Sequence, residues 1–573
     1  MGTRAPVRQC NLVLTAFLAC GAKGLMSVDI GYFSLSEKNM SDERDEETTN
    51  RTSEKSDNEI TKDENDVNKV IYRPIPLPHE PPLIERLFST YWGLSIVFGG
   101  VSILTILFIA ADECRQCFSK AGNLEYPVSL SKKFWAYGKN IEGGHLKEVY
   151  TVLGRLGYKQ DQNPGENWDL LWSHDYPFRS LKSELYNLKP YQKVNHFPGC
   201  GYITNKVDLA TSGLPYIPPA FKLPEQKEQL LEYSKTHPNR TFVQKNNDHR
   251  NIKIERLQNI DLDKSGTFVQ DFIDKPLLIN GHKFDIGIYT IVTSIDPLRV
   301  YIYNGEALLR FCPQKYYPFD PTNLDKYVVG DDYLPIWEVP ALDYYYNQLG
   351  FGMRESLNAH LRSLGMDPSN IWTQIEDSIR QVLLAKEPLI ANVLKRFKYK
   401  SNFFEMMRFD FVIDENLNIY LLEANMSPNL SSAHFPPNRL LYQQVLYNVL
   451  GLVGVGERIQ KGSLEPRSKE DEAMIVSDKH LATYPEKCNS QMCKTSCVSP
   501  ECQLCKPCLS PETRKYLVQA FKEHLNRGDC KRVFPPIESR EEALKPVSDN
   551  YSAENQLHYK WFKGKCLLDS TWC

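Results

Sequence analysis

The chain has 573 residues, of which 42% are hydrophobic and 24% charged, and it carries a net charge of −3. The length allows two or more domains of roughly 100–200 residues, and the composition is that of a globular protein. A nearly neutral chain lacks the electrostatic footprint of a nucleic-acid binder, so no nucleic-acid partner is expected.

The N-terminus places Arg4 and Arg8 before an apolar run, NLVLTAFLA (11–19), and the small residues Cys20-Gly21-Ala22. Residues 1–22 thus resemble a cleavable signal peptide. Residues 23–86 form an acidic and proline-rich segment. Within it SDERDEETTNRTSEKSDNEITKDENDV (41–67) has too little apolar surface to offset chain entropy and is expected to be disordered. RPIPLPHEPP (73–82) is expected to be extended. Residues 87–111, LFSTYWGLSIVFGGVSILTILFIAA, carry no charge and begin with the interfacial aromatics Tyr91 and Trp92. About 20 apolar residues span the hydrocarbon core, so a single transmembrane helix is expected here. A cleaved signal peptide would put 23–86 in the lumen and the rest in the cytosol, and Arg115, Lys120, Lys132 and Lys133 fit a cytosolic flank.

From 120 to 455 short β-rich runs alternate with longer helical ones, which argues for an α/β (α+β) domain. TFVQDFI (267–273), FDIGIYTIVTSI (284–295) and RVYIYNG (299–305) read as strands. FFEMMRFDFVID (403–414) and NIYLLEAN (418–425) read as a hairpin turning at 415–417. WTQIEDSIRQVLLAKEPLIANVLKRF (372–397) and RLLYQQVLYNVLGLVG (439–454) have apolar residues at helical spacing. A linker is assigned to 456–487, and a cysteine-rich tail to 488–573.

Nine of the fifteen cysteines lie in that tail, six of them as C-x4-C-x3-C-x4-C-x2-C-x2-C from Cys488 to Cys508. An oxidising compartment would make this a disulfide knot; the cytosol would make it a zinc site or reduced thiols. The disulfide alternative pulls the attached domain to the lumen, against the orientation given by the N-terminus. The tail segment PETRKYLVQAFKEHLNR (511–527) reads as a helix that either docks a partner or packs on its own cysteine-bonded module.

The chemistry is concentrated in the hairpin. Asp410 alternates with Phe409 and Phe411, while Glu423 and Asn425 are two apart on the second strand and share a face. Two carboxylates and an amide oxygen form a hard-oxygen set suited to Mg²⁺. Carboxylates among residues as apolar as MMRFDFVI and YLLEA need a partner or a metal.

FFEMMRFDFVIDENLNIYLLEANMSPNL (403–430) resembles the signature of the tubulin–tyrosine-ligase-like family, in which an F-E-x-x-x-F-D strand and an L-L-E-x-N-x-S-P strand carry the metal ligands of an ATP-grasp fold. NWDLLWS (167–173), VNHFPG (194–199) and the block 269–311 resemble further family motifs in the same order, so the likeness spans about 150–450. The resemblance implies that backbone groups of Gln270, Asp271, Phe272 and Ile273 hold the adenine. It implies that Lys245 reaches the nucleotide phosphates and that Lys283 and Asp285 contact nucleotide. Arg310 would stabilise charge on the transferring phosphoryl group, with Lys283 as a second catalytic cation. Lys206 would add a phosphate contact, and Asp410, Glu423 and Asn425 would ligate Mg²⁺. The implied reaction uses ATP to make an acyl phosphate that an amino group attacks. The implied partners are tubulin or microtubules and a free amino acid, glutamate by preference.

Three departures from the family pattern stand out. KNNDHRNIKI (245–254) lacks the glycines of the family's phosphate loop, with Asn251 and Lys253 in their places. Gly287 stands where the family has an arginine, which leaves the site short of a cation. YVVGDDYLPIWEVPAL (327–342) replaces an H-L-T-N type segment. Two readings follow: an active glutamate ligase, or a pseudoenzyme that binds nucleotide or a partner at a membrane.

Overall fold

The computed structural model describes residues 132–162, 165, 167–246, 252–456 and 473–573. The signal-like N-terminus, the acidic segment, the apolar stretch 87–111 and the loop residues 247–251 lie outside the described residues. Among the described residues no helix is long and apolar enough to cross a membrane.

Three sheets follow one another along the chain. The first is parallel, in the order β2-β1-β3-β4, from β1 (Lys133–Tyr137), β2 (Lys159–Gln160), β3 (Leu170–Ser173) and β4 (Lys193–Val194). Helix α1 (Lys147–Arg155) crosses between its first two strands and buries Val149, Val152 and Leu153. The second is antiparallel, in the order β5-β8-β6-β7, from β5 (Ala220–Leu223), β6 (Thr241–Asn246), β7 (Lys253–Arg256) and β8 (Thr267–Asp271). Between the first two sheets lies α2 (Lys206–Ala210). Its N-cap Asn205 accepts from the backbone N–H groups of Val207 and Asp208, as a helix start of this composition requires.

The third sheet holds the hairpin with Asp410, Glu423 and Asn425. Its strands are β9 (Leu278–Ile279), β10 (His282–Ile295), β11 (Leu298–Tyr303), β12 (Leu308–Phe311), β13 (Leu334–Pro335), β14 (Glu405–Ile413), β15 (Ile419–Asn425) and β16 (Cys530–Phe534). The 14-residue β10 pairs β12 near its start and β11 near its end, both on one side, and β14 along the other side. Nearly every residue of β10, β11 and β14 is buried, which explains their near-continuous apolar sequence. Helix α3 (Ser369–Leu394) buries Ile375, Ile379, Val382 and Ile390 against this core, running through Pro388; α4 (Arg439–Leu452) covers it with Leu441, Val445 and Val449.

The tail is joined to that core. Strand β16 extends the third sheet by pairing antiparallel with β11, with Cys530, Val533 and Phe534 inside the main hydrophobic core. Helix α5 (Pro511–Asn526), capped by Ser510 with Pro511 at its first position, packs on α4. Its Glu523 accepts from Nε and Nη2 of Arg299 at 2.8 and 2.9 Å, and from Thr293 and Tyr301. Asn555 of α6 (Ala553–Leu568) donates to both oxygens of Glu387 on α3 and accepts from the backbone of Leu298. Helix 511–527 thus packs on its own chain. The expected linker also shrinks, because Val476 and Leu481 already belong to the tail core with Phe521, Trp561 and Trp572. The structure pairs the tail cysteines as disulfides: Cys488–Cys505, Cys493–Cys502, Cys497–Cys508 and Cys566–Cys573.

Candidate active site on the third sheet

The register of the sheet brings four strands to one cluster. On β10, Asp285 lies opposite Arg310 of β12, and Gly287 opposite Asp410 of β14. On the hairpin, Asp410 lies opposite Glu423, and Arg408 opposite Asn425. A bulge makes this last register possible. Phe411 pairs with Leu421, whereas Asp410 pairs with Glu423, so Leu422 is the extra residue of β15. Without it Glu423 and Asn425 would point to the opposite face from Asp410.

Donors and acceptors interlock across the cluster. Arg310 clamps Asp285 through Nε and Nη2 at 2.9 and 2.7 Å, and its Nη2 also reaches Asp410 at 3.0 Å. The Asn425 amide donates to Asp410 at 2.8 Å and to Glu423 at 3.0 Å. Lys206, placed by the capped start of α2, donates to Glu423 at 2.6 Å. Burial would raise the Glu423 carboxyl, but the Lys206 charge and hydrogen bond, with the Asn425 amide, hold it down to about 2. It is ionised throughout the working range of a protein. Burial pushes Asp285 up, the Arg310 charge opposing it.

The second sheet supplies Lys245 from β6, which donates to Gln270 of β8 at 3.2 Å. Loss of solvent pushes the Lys245 ammonium down to about 8; Glu423 draws it up, while Lys283 and Lys206 add to the push. Lys283 is committed elsewhere. Its ammonium donates to the carbonyl of Tyr327 at 2.7 Å and lies 5.6 Å from the ring centre of Phe272, so the segment that replaces the H-L-T-N motif anchors this lysine.

Of the residues expected at the base, Gln270 faces Lys245, but the Asp271 side chain points away, accepting from Tyr233 at 2.8 Å. The backbone N–H groups of Asp271 and Phe272 are taken by Pro219 and Thr241, and Tyr316 reaches the carbonyl of Ile273. Of the two residues at the glycine positions, Asn251 lies outside the described residues and Lys253 is exposed on β7.

Two residues escaped sequence reasoning. Arg408 donates to both oxygens of Asp410, from Nε at 2.6 Å and from Nη2 at 2.9 Å, so the charge expected to be missing at Gly287 is present. Its signal was available in parity: two residues before Asp410 on a strand, it shares that face. Glu405, the acidic residue of the F-E motif, serves the fold instead. It bonds His196 at 2.6 Å and the backbone of Phe197 at 2.9 Å, tying the third sheet to the segment after β4.

A carboxylate pair bridged by an amide, with cations converging from two sheets, has the charge pattern of a site for a metal-bound anion. The chain belongs to the tubulin-tyrosine ligase family. That family's model matches residues 183–461. Over 440 residues the chain is 43% identical to the "Probable tubulin polyglutamylase ttll-15" of Caenorhabditis elegans, covering 75% of this chain and 84% of that protein. It is 31% identical over 347 residues to "Tubulin polyglutamylase TTLL6" of Mus musculus, covering 57% and 41%, and 24% identical over 441 residues to "Tubulin polyglutamylase TTLL7" of Homo sapiens, covering 71% and 48%. It therefore spans less than half of the latter two.

Proposed function

We propose that this chain is an ATP- and Mg²⁺-dependent carboxylate–amine ligase that adds glutamate to a side-chain carboxylate of a protein through an acyl phosphate. The carrying observation is the convergence of Asp285, Arg310, Asp410, Glu423 and Asn425 on one sheet face, with Lys206 and Lys245 above it.

The residues fit a magnesium ion by their chemistry. Asp410 and Glu423 are close enough to share the Asn425 amide, and a cation between them would take that place once the amide turns its oxygen inward. Bound there, Mg²⁺ would neutralise phosphate charge. The chain's own residues do the rest. Lys245 and Lys206 present ammonium groups to phosphate oxygens. Arg310, fixed by Asp285, presents a guanidinium whose orientation is set before substrate arrives, so charge developing on the transferred group meets a preorganised donor. No side-chain nucleophile is required, because the amine of the incoming amino acid attacks the activated carboxyl and phosphate leaves.

The acceptor follows from the relatives, several of which bear the name tubulin polyglutamylase; a tubulin tail supplies the carboxylates. One observation favours a second acceptor. The disulfide-bonded tail shares the third sheet with the site, and disulfides persist in oxidising compartments. A catalytic unit held in a lumen by the 87–111 segment would modify an acidic lumenal protein instead.

Labelled glutamate incorporation into tubulin, wild type against Glu423→Gln, tests the reading. Incorporation that Glu423→Gln abolishes is the expected result. No incorporation into tubulin with nucleotide still bound removes tubulin as the acceptor, and the same result with an acidic lumenal protein as acceptor makes the chain a nucleotide-binding pseudoenzyme. Mass spectrometry of the tail cysteines, alkylated before and after reduction in intact cells, decides between the acceptors.

A further inference from the structure

Gly287 has no side chain for a reason of space. Its φ is not in the left-handed region, so its backbone conformation does not demand glycine. A Cβ at this position would lie 2.8 Å from Cδ and 3.1 Å from Nε of Arg408, and 3.2 Å from Oδ1 of Asp410. Any larger residue would therefore collide with the Arg408 stem while the guanidinium lies across the strand. Position 287 and Arg408 point into one volume from neighbouring strands, and only one of them can fill it.

Arg408 fills it with a buried, fixed charge. Asp410 accepts both of its hydrogen bonds, and Tyr289, its cross-strand neighbour, lies beside it. Burial works against the Arg408 charge, but the Asp410 carboxylate outweighs that and holds its pKa well above the ordinary arginine value. Counting the cluster, four cations (Lys206, Lys245, Arg310, Arg408) face three carboxylates (Asp285, Asp410, Glu423). The excess of positive charge suits an anionic ligand.

We propose that Arg408 supplies, from β14 and through the gap left by Gly287, the site cation that position 287 lacks: it is a positioning residue that aims Asp410 at the metal–nucleotide and adds positive charge for an anionic substrate oxygen. That oxygen belongs either to a phosphate of the nucleotide or to the carboxylate of the amino acid. The inference rests on the ligase reading above, because that reading makes Asp410 a metal ligand.

A reciprocal exchange tests it in the full-length chain. Arg408→Gly, Gly287→Arg and the double variant are compared with wild type for Mg-nucleotide binding by calorimetry, for KM with ATP and with glutamate, and for thermal midpoint. Each single change weakens Mg-nucleotide binding by roughly 10-fold or more, since one removes a charged hydrogen-bonding pair and the other forces Arg408 out. The double variant returns to within about threefold of wild type, because the guanidinium re-enters from the other strand. If phosphate is the contact, KM for ATP carries the defect; if carboxylate, KM for glutamate moves as well. Binding in folded Arg408→Gly that equals or exceeds wild type overturns the proposal and makes Arg408 a plug on Asp410. So does a folded double variant no better than the worse single. A wild-type chain that binds nucleotide but makes no product defeats the ligase reading alone, and the binding measurements still decide the role of Arg408.

Discussion

The third sheet holds two arginine–carboxylate clusters, and they are built for opposite purposes. At the tail junction one carboxylate, Glu523, collects Arg299, Thr293 and Tyr301, with Arg299 and Glu523 at 0% and 2% exposure. At the site, cations outnumber carboxylates, and Glu423 retains 27% exposure beside Lys206 at 19%. A sealed and paired charge holds a fold together, because either partner alone would be stranded. An open cluster with surplus positive charge is incomplete until an anion arrives. The tail therefore belongs to the framework of the third sheet, and the hairpin–β10–β12 cluster is where the proposed ligand would bind.

The comparison breaks most visibly at the junction. Glu523→Ala leaves Arg299 buried without its partner and should destabilise the chain by about 3–5 kcal/mol in urea unfolding, without altering nucleotide affinity of the molecules that remain folded. The site should answer in rate. Arg310→Ala is expected to lower kcat by about 10²–10³-fold, roughly 2.7–4 kcal/mol, and to lower the thermal midpoint as well, because it leaves the buried Asp285 without its partner. Opening the tail sharpens the boundary between the two: the Cys488–Cys505 bond spans 17 residues, and its replacement by serines should cost about 2–3 kcal/mol. Cys493–Cys502, nested within that loop, and Cys497–Cys508, which crosses it, keep the figure at the lower end. A shift in KM for ATP in that variant would mean that tail and site are coupled. The smallest effect is a pH slope. Lys245, held near 8, is a cation below that value and loses its proton above it, so nucleotide affinity should fall severalfold between about pH 7 and pH 9. Lys245→Gln should flatten the slope in a calorimetric titration.

The β14–β15 hairpin shows how much was legible in the sequence. Its strands, its polar turn and the shared face of Glu423 and Asn425 follow from alternation, and the structure agrees. The helices at 372–397 and 439–454 follow from apolar spacing and appear as Ser369–Leu394 and Arg439–Leu452. Alternation also accounts for the next pair: the Gln270 side chain faces Lys245, so the Asp271 side chain faces Tyr233. The cysteine pairing was beyond reach, since spacing alone leaves many connectivities open.

The sequence by itself determined the family, the strands around 267–305, the 403–425 hairpin and the identity of the chemical groups, because these depend on residue type and short-range periodicity. Tertiary structure decided two things that periodicity cannot. One is the extra residue Leu422, which turns Glu423 and Asn425 onto the face of Asp410; a bulge leaves no mark in an alternating pattern. The other is the occupant of the space beside Asp410. Gly287 reads as a lost cation until the strands are paired, and only then does Arg408, 121 positions later in the chain, lie across it, because volume is shared between strands rather than along them.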